Sequence, residues 1–228
     1  TIPMTQEQAL SILKTGAHVF LTGEPGSGKT HTINQYVAYL RAHKIEPAVT
    51  ASTGIAATHI NGMTIHSWSG IGVKQELTKY DLDRLAQNER AARRIARAKV
   101  LVVDEISMLS AQTLNMVDHV CRELRNTESP FGGLQVVLVG DFFQLPPIAR
   151  RSDENGTRLA FENAAENPCA QFAYHSPSWA ALKPVVCYLT EQHRQGDATF
   201  LQVLSALRNG SFSRQHGAHL AERKIAED

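Results

Sequence analysis

The chain has 228 residues, 43% of them hydrophobic, which is enough to bury the core of one large domain, or of one domain and part of a second. A formal net charge of +1 neither requires nor excludes a nucleic-acid partner, because a local basic surface can act without a global excess. Three cysteines without C-x-x-C spacing argue against a zinc ribbon or disulfide framework, and no apolar run reaches the ~20 residues of a membrane span, so we expect an intracellular protein with no membrane partner.

The first predicted element is a helix that begins after Thr5 and has its first apolar residue at Ala9. Thr5 and Gln8, three residues apart, have the form of a capping box. Gln8 therefore has two interpretations. It is either the structural cap of this helix or a side-chain amide that hydrogen-bonds the edge of an adenine base.

The segment Gly23–Thr30 has the form G-x-x-x-x-G-K-[ST], which is the phosphate loop of nucleotide-binding proteins. An apolar run before it predicts a buried strand, and apolar residues at i, i+3, i+4 and i+7 after it predict a helix from near Ser27. Lys29 would reach the β- and γ-phosphates, and the Thr30 hydroxyl would bind Mg²⁺. The segment thus predicts an ATP or ADP site with Mg²⁺. Its predicted contacts are Gly23, Glu24, Pro25, Gly26, Ser27, Gly28, Lys29, Thr30 and His31.

A second short strand is predicted at residues 47–50, followed by a helix that starts among the small residues near Thr53 and Gly54. Small side chains there let a ligand or another backbone come close. The loop that follows contains His66 and Trp68. These rings could stack on nucleic-acid bases, or they could be a buried tryptophan and its polar neighbour.

Residues 77–99 are predicted to form one helix with four arginines on a single face. Such a stripe fits the phosphate backbone of a nucleic acid. It also fits an ordinary solvated face that Asp83 and Glu89 balance. The four residues are Arg90, Arg93, Arg94 and Arg97.

The next apolar strand, residues 99–103, ends in the two acids Asp104 and Glu105. This is the Walker B arrangement. Asp104 would hold Mg²⁺ through water opposite Thr30, and Glu105 would act as the general base that activates the attacking water. Ser110 is predicted to cap the helix that follows.

Two further strands are predicted at residues 135–141 and 184–189. The first leads to Gln144, and an amide at the carboxyl end of a parallel strand is a candidate sensor of the γ-phosphate. Residues 148–168 are polar, with a flexible tip predicted at 153–156. Because strands alternate with helices, we predict an α/β fold with a parallel sheet of the RecA-like type, flanked by helices.

Seven segments of the chain carry a family resemblance when they are taken together in order. They are Gly23–Thr30, Ala51–Ala57, Thr64–Gly72, Asp104–Ser107, Pro130–Gly133, Gly140–Pro147 and Glu191–Asp197. This set resembles the petite-integration-frequency family of DNA helicases, in group B of superfamily one. Members of that family couple ATP hydrolysis to 5′-to-3′ movement on single-stranded DNA in genome maintenance, including repair, recombination and telomere maintenance.

The resemblance implies a role for each matching residue of the ATP site. Gln8 would read adenine, Lys29 and Thr30 would hold phosphate and Mg²⁺, and Asp104 and Glu105 would be the metal anchor and the base. The resemblance further implies that Gln144 senses the γ-phosphate and that Arg194 approaches it from the second motor domain. The positions implied to face single-stranded DNA are Thr53, Gly54, His66, Trp68, Phe142 and Phe143.

The resemblance also implies that part of the motor lies outside this chain. Family members have two RecA-like domains with ATP between them. We therefore expect residues 1–189 to be the first motor domain and residues 190–228 to be the start of the second, which is a partner supplied by the same parent chain. Two alternatives remain: a RecD-like or relaxase-associated helicase motor, and a nucleotide-binding switch without productive hydrolysis. The expected location is cytoplasmic in a bacterium, and nuclear or mitochondrial in a eukaryote.

Overall fold

The protein is organised around a parallel β-sheet. A computed structural model describes the chain over residues 3–74, 76–147, 150–153, 156–159, 172–190, 198–208 and 210–221. The strands within these ranges are β1 (Pro3–Met4), β2 (Val19–Gly23), β3 (Ala48–Ala51), β4 (Met63–Thr64), β5 (Val100–Asp104), β6 (Gln135–Val139), β7 (Arg150–Asp153), β8 (Gly156–Leu159) and β9 (Val185–Leu189). Seven of them form the sheet in the order β1-β9-β2-β6-β5-β3-β4. Every neighbouring pair in it is parallel, so the predicted fold class is confirmed.

Helices alternate with these strands along the chain. They are α1 (Gln6–Lys14), α2 (Lys29–Ala42), α3 (Gly54–His59), α4 (Ile65–Ser69), α5 (Lys79–Gln87), α6 (Glu89–Arg97), α7 (Ala111–Arg125), α8 (Pro177–Leu182), α9 (Ala198–Arg208) and α10 (Arg214–Ala221). The capping box of Thr5 and Gln8 at α1 and the Ser110 cap of α7 are both present. In the described part of the chain, no helix has the length and apolarity needed to cross a membrane.

The core has two layers, one on each face of the sheet. Side chains alternate between the layers along each strand, as they must in a strand buried on both faces. In β5, for example, Val100 and Val102 pack with α1 and α2, whereas Leu101 and Val103 pack with the helices of the opposite face. Both faces of the sheet are therefore covered by apolar side chains, and polar functional groups are expected at its edges.

Gln135 at the start of β6 fixes the two helices of the first layer. Its side-chain Nε2 donates to the carbonyl oxygens of Leu13 and Ala17, each at 2.9 Å. Its Oε1 accepts from the hydroxyl of Tyr36 at 2.7 Å. A single amide thus joins the end of α1 to the middle of α2 and to the sheet.

Two elements differ from the sequence prediction. The helix predicted over residues 77–99 is two helices, because Asn88 has extended backbone geometry and its side chain accepts from the backbone N–H of Ala91 as the cap of α6. The polar segment after residue 147 contains an antiparallel hairpin of β7 and β8. Two residues of its predicted flexible tip, 154 and 155, lie outside the described residues.

Residues beyond β9 return to the sheet edge through α9. Val203 of this helix is buried, and Arg208 at its end pairs with Asp141 beyond β6. Residues 191–197, which include Arg194, lie outside the described residues. The boundary at residues 189 and 190 therefore stays a prediction.

Candidate nucleotide-binding site

The phosphate loop connects the carboxyl end of β2 to the first residue of α2. Gly28 directly precedes this helix with φ 85°, a left-handed conformation that glycine adopts without the steric cost of a Cβ. Gly23 has φ 151°, and a Cβ placed on it would lie 2.6 Å from the carbonyl oxygen of Leu189 in β9. The loop thus has the strand-before, helix-after context that its sequence predicts, with the helix starting at Lys29.

Lys29 is folded back into its own loop. Its Nζ donates to the carbonyl oxygens of Gly23 and Glu24 at 2.8 and 3.1 Å. Burial lowers the pKa of this ammonium, while the nearby carboxylates of Asp141 and Glu105 act in the opposite direction. The lysine therefore stands among acceptors that a bound phosphate would replace.

The polar atoms around the loop fit a Mg-nucleotide. The Ser27 hydroxyl is buried and has no hydrogen-bond partner among the residues that the structure describes. Within those residues there is also no group of three or more His, Cys, Asp or Glu that could hold a metal alone. Mg²⁺ in nucleotide sites takes one or two protein oxygens and completes its shell with phosphates and water. The Thr30 hydroxyl and the Asp104 carboxylate are donors of that kind.

Two glutamines of α1 have different roles in the structure. The Oε1 of Gln8 accepts from the backbone N–H of Thr5 at 2.9 Å, which confirms its capping role. That bond leaves the Nε2 protons of Gln8 out of the cap, so adenine recognition by Gln8 stays a prediction. Gln6 reaches the phosphate loop itself, where its Nε2 donates to the Ser27 carbonyl oxygen at 3.2 Å. Gln6 was not singled out from the sequence, because the capping-box pattern marks Gln8 alone.

The acid pair lies at the carboxyl end of β5, beside the end of β3. Glu105 has φ 52° and ψ 44°, a left-handed conformation that is uncommon for residues other than glycine and is found often at functional sites. Its backbone N–H donates to Oδ1 of Asp104 at 2.9 Å. Ser52, just after β3, holds this turn because its hydroxyl donates to the Glu105 carbonyl oxygen at 2.8 Å.

Burial has the largest effect on the pKa of both acids. It raises the pKa of Asp104, although the Glu105 N–H and the Lys29 charge act against the rise. Burial also raises the pKa of Glu105, and the charge of Asp104 adds to the effect. A carboxylate with a raised pKa is a stronger base, as a group that accepts a proton from water requires.

The loop after β6 brings Gln144 to the same edge of the sheet. The backbone N–H of Gln144 donates to the Asp141 carbonyl oxygen at 2.9 Å, and its side-chain Nε2 donates to Oδ2 of Asp141 at 3.2 Å. The same Oδ2 accepts from Nη1 of Arg208 at 2.6 Å. Asp141 and Arg208 were not singled out from the sequence; they are 67 residues apart, and no local pattern marks the pair.

The residues predicted to face DNA divide into two groups. Thr53 caps α3, where its side chain accepts from the backbone N–H of Ala56, and Gly54 beside it is exposed. His66 is half-buried in α4, and the Phe143 ring is 72% exposed. These four positions leave surface for a ligand, and their DNA contacts stay a prediction.

Trp68 and Phe142 both pack against other side chains. Trp68 is 2% exposed within the core, so of its two interpretations the buried tryptophan is confirmed and base stacking by this ring is excluded. Phe142 packs against the rings of Phe20, Phe172 and Tyr174, with centroids 4.7 to 5.5 Å apart. These ring contacts anchor the loop after β6, and the predicted DNA contact of Phe142 stays a prediction.

The predicted arginine stripe is not a uniform face. Arg94 donates through Nη2 to the backbone carbonyl oxygens of Ser67 and Trp68, so it ties α6 to α4. Arg93 pairs with Glu89 at 3.3 Å on the exposed side, as an ordinary solvated face would. The structure thus favours the solvated-face interpretation, with one arginine used for packing.

Comparisons with known proteins agree with this geometry. Residues 5–217 match the model of the PIF1-like helicase family. The ATP-dependent DNA helicase Pif1 of Psychrobacter sp. (strain PRwf-1) is 52% identical over 192 residues, which are 84% of this chain and 27% of that protein. The chain therefore spans about a quarter of this curated relative.

Solved structures of helicases have the same fold. The crystal structure of Pif1 helicase from Candida albicans is 33% identical with a TM-score of 0.81, over 96% of this chain and 47% of that one. The structure of Pif1 helicase from Bacteroides in complex with ADP-AlF3 and ssDNA is 26% identical with a TM-score of 0.73, over all of this chain and 52% of that one. This chain corresponds to about half of each.

Proposed function

The chain belongs to the PIF1-like helicase family, and we propose that it is the ATP-binding motor domain of an ATP-dependent 5′-to-3′ DNA helicase. One observation supports the proposal most directly. Lys29 of the phosphate loop, the Asp104-Glu105 pair and Asp141 lie at or beyond the carboxyl ends of β2, β5 and β6, which lie side by side in the parallel sheet. A cation and three acids at the carboxyl edge of one parallel sheet suit the transfer of a phosphoryl group.

In the proposed mechanism the chain binds and orients the nucleotide, and each step falls to named groups. Backbone N–H groups of the phosphate loop and the Lys29 ammonium hold the β- and γ-phosphates. Thr30 and Asp104 would hold Mg²⁺, which neutralises charge that develops on the phosphate oxygens. Glu105 accepts the proton of the attacking water. Gln144 contacts the γ-phosphate, and Arg194 would approach it from the second domain.

We propose single-stranded DNA as the macromolecular partner. A helicase of this family from Bacteroides has been solved with ssDNA. In this chain, the loops at the carboxyl edge expose apolar side chains next to the ATP site: Ile55 is 77% exposed and Phe143 is 72% exposed. Exposed rings suit stacking on bases, which is worth ~1–3 kcal/mol per base. With DNA as its substrate the protein would act inside the cell, in genome maintenance such as repair, recombination or telomere maintenance.

We propose that residues 1–189 act as the first motor domain and that a second RecA-like domain completes the site. Arginine fingers accelerate phosphoryl transfer ~10³- to 10⁵-fold, and their placement depends on closure of the second domain. The 228-residue chain is therefore expected to bind ADP and ATP, to hydrolyse ATP slowly and to unwind nothing alone.

The test is steady-state phosphate release with and without a single-stranded oligonucleotide, at low salt so that weak phosphate contacts are not screened. We expect little acceleration by DNA in the 228-residue chain and strong acceleration in a longer chain that carries the second domain. Robust DNA-stimulated turnover by the 228 residues would reject the two-domain proposal. Nucleotide binding without DNA-stimulated turnover in the longer chain would favour a nucleotide switch instead.

A further inference from the structure

Arg208, at the end of α9, lies largely enclosed at the nucleotide edge of the sheet and belongs to no predicted motif. Its Nη1 lies 2.6 Å from Oδ2 of Asp141, and the two side chains are 9% and 2% exposed. Its guanidinium carbon lies 4.3 Å from the ring centroid of Phe143 and 5.9 Å from that of Tyr188. An arginine held by a carboxylate and two rings has one defined position.

The acceptor of Arg208 is also the acceptor of the proposed phosphate sensor. Oδ2 of Asp141 receives the Nη1 of Arg208 and the Nε2 of Gln144, while its Oδ1 receives the backbone N–H of Phe143 at 3.1 Å. Asp141 thus fixes both the backbone and the side chain of the loop that carries Gln144. Without the guanidinium, a nearly fully buried carboxylate would lose its cation.

The same helix touches the phosphate loop. The hydroxyl of Ser205, one turn before Arg208, lies 3.5 Å from Oε1 of Glu24. α9 therefore contacts both loops that face the nucleotide, one through Ser205 and the other through Arg208.

We propose that Arg208 is a positioning residue for Gln144. It acts through Asp141, and it ties the orientation of the γ-phosphate sensor to the position of α9, the first helix of the predicted second motor domain. The inference rests on the proposed nucleotide-binding function. When α9 is in the position seen here, Arg208 holds the Asp141 carboxylate, and that carboxylate orients the Gln144 side chain. When α9 withdraws, Asp141 loses Arg208 and the sensor loop loses its fixed point.

The test compares the affinity of the 228-residue chain for ADP and for ATPγS, which differ in the γ-phosphate. The dissociation constant for ADP divided by that for ATPγS measures how well Gln144 senses that group. The variants are Gln144→Ala, Arg208→Ala, Arg208→Lys and the double variant Gln144→Ala with Arg208→Ala. Arg214→Ala in α10 is the matched control, since that side chain is exposed and makes no hydrogen bond or ion pair in the described part of the chain.

We expect Gln144→Ala and Arg208→Ala each to reduce the ratio about tenfold, the effect of one lost hydrogen bond to a charged group, with ADP affinity unchanged. The double variant should lose no more than either single one, because both act through one contact. Arg208→Lys should give an intermediate ratio, because lysine keeps the charge beside Asp141. Arg214→Ala should match the wild type.

Several outcomes would overturn the inference: an unchanged ratio in Arg208→Ala, an equal loss for both nucleotides, or losses that multiply in the double variant. If the wild type bound ADP and ATPγS with equal affinity, the inference would also be overturned, although nucleotide binding itself would stand. If Arg208→Ala fails to fold by circular dichroism, Arg208→Lys decides, and a wild-type ratio in that variant would overturn the inference. If the wild type binds neither nucleotide, it is the proposed function that fails.

Discussion

The Nζ atom of Lys29 lies 2.8 Å from the carbonyl oxygen of Gly23, six residues earlier in the same loop. The ammonium therefore closes the phosphate loop on itself, and an incoming phosphate must take over its hydrogen bonds. The exchange is favourable because an anionic oxygen is a stronger acceptor than a peptide carbonyl.

Replacing Lys29 with alanine should remove most of the affinity for ADP. Hydrogen bonds to charged groups contribute about 1.5–3 kcal/mol, so we expect binding about tenfold to a hundredfold weaker in a titration calorimeter. Lys79→Ala, at an exposed position on α5, is the control and should bind ADP as the wild type does. Equal affinities of wild type and Lys29→Ala would exclude the phosphate-loop role.

Replacing Glu105 with glutamine should separate catalysis from binding. The variant keeps the shape of the side chain but cannot accept the proton, so turnover in a chain with the second domain should fall ~10²-fold or more while ATP binding is retained. Glu123→Gln, on the exposed side of α7, should leave turnover unchanged. A collapse of binding along with turnover would mean that Glu105 holds the metal instead.

Gly23→Ala should destabilise the fold. The new Cβ would lie 2.6 Å from the Leu189 carbonyl oxygen and 2.7 Å from the Ser27 hydroxyl, so loop or strand must move. Strained backbone positions cost about 1–3 kcal/mol each, and we expect a loss of that size in urea unfolding. Gly54→Ala is the matched control, because a Cβ there meets no atom within 4 Å. A loss in Gly54→Ala equal to that in Gly23→Ala would show that the clash is not the cause.

His18 should make stability depend on pH. Its Nδ1 accepts from the backbone N–H of Val136 at 3.1 Å, so this nitrogen must be unprotonated in the native state. Burial lowers the pKa of His18, which means that its contribution is present above its unfolded value of about 6.5 and is lost as pH falls through the folded value.

The measurement compares melting temperatures of the wild type and His18→Asn between about pH 8 and pH 5, a range that brackets the unfolded pKa. Asparagine keeps an acceptor and does not titrate. We expect the wild type to lose more stability than the variant on acidification. Parallel curves would show that this histidine is not the titrating group.

The sequence was sufficient to predict the elements whose chemistry is local. The phosphate loop, the Asp104-Glu105 pair and the strands around them follow from spacing and periodicity, because each depends on residues close together in the chain. Trp68 was left ambiguous, since an aromatic ring in a polar loop has the same local pattern whether it is buried or exposed. Only the packing of α4 against α6 and α7 places it in the core.

Contacts between segments far apart in the chain could not be predicted from the sequence. Among the described residues, the hairpin of β7 and β8, helix α8 and strand β9 lie between Asp141 and Arg208 in the chain. The break at Asn88 was missed for a different reason. An asparagine within an arginine-rich amphipathic run lowers helix propensity only slightly, so its use as a cap is decided by the turn that α5 and α6 must make to cover the sheet.

The position of β9 between β1 and β2 has a consequence for synthesis of the protein. Its register pairs Leu189 with Gly23 and Val185 with Val19, so the strand that leads into the phosphate loop acquires one of its two neighbours only after more than 160 further residues. A ribosome delivers the chain from its amino end at about 5–20 residues per second. A nascent chain therefore displays β2 as an open, apolar edge for many seconds, a state in which pairing with a foreign strand competes with folding. We expect ribosome-bound chains halted before residue 185 to bind chaperones, and chains halted well after residue 190 to release them.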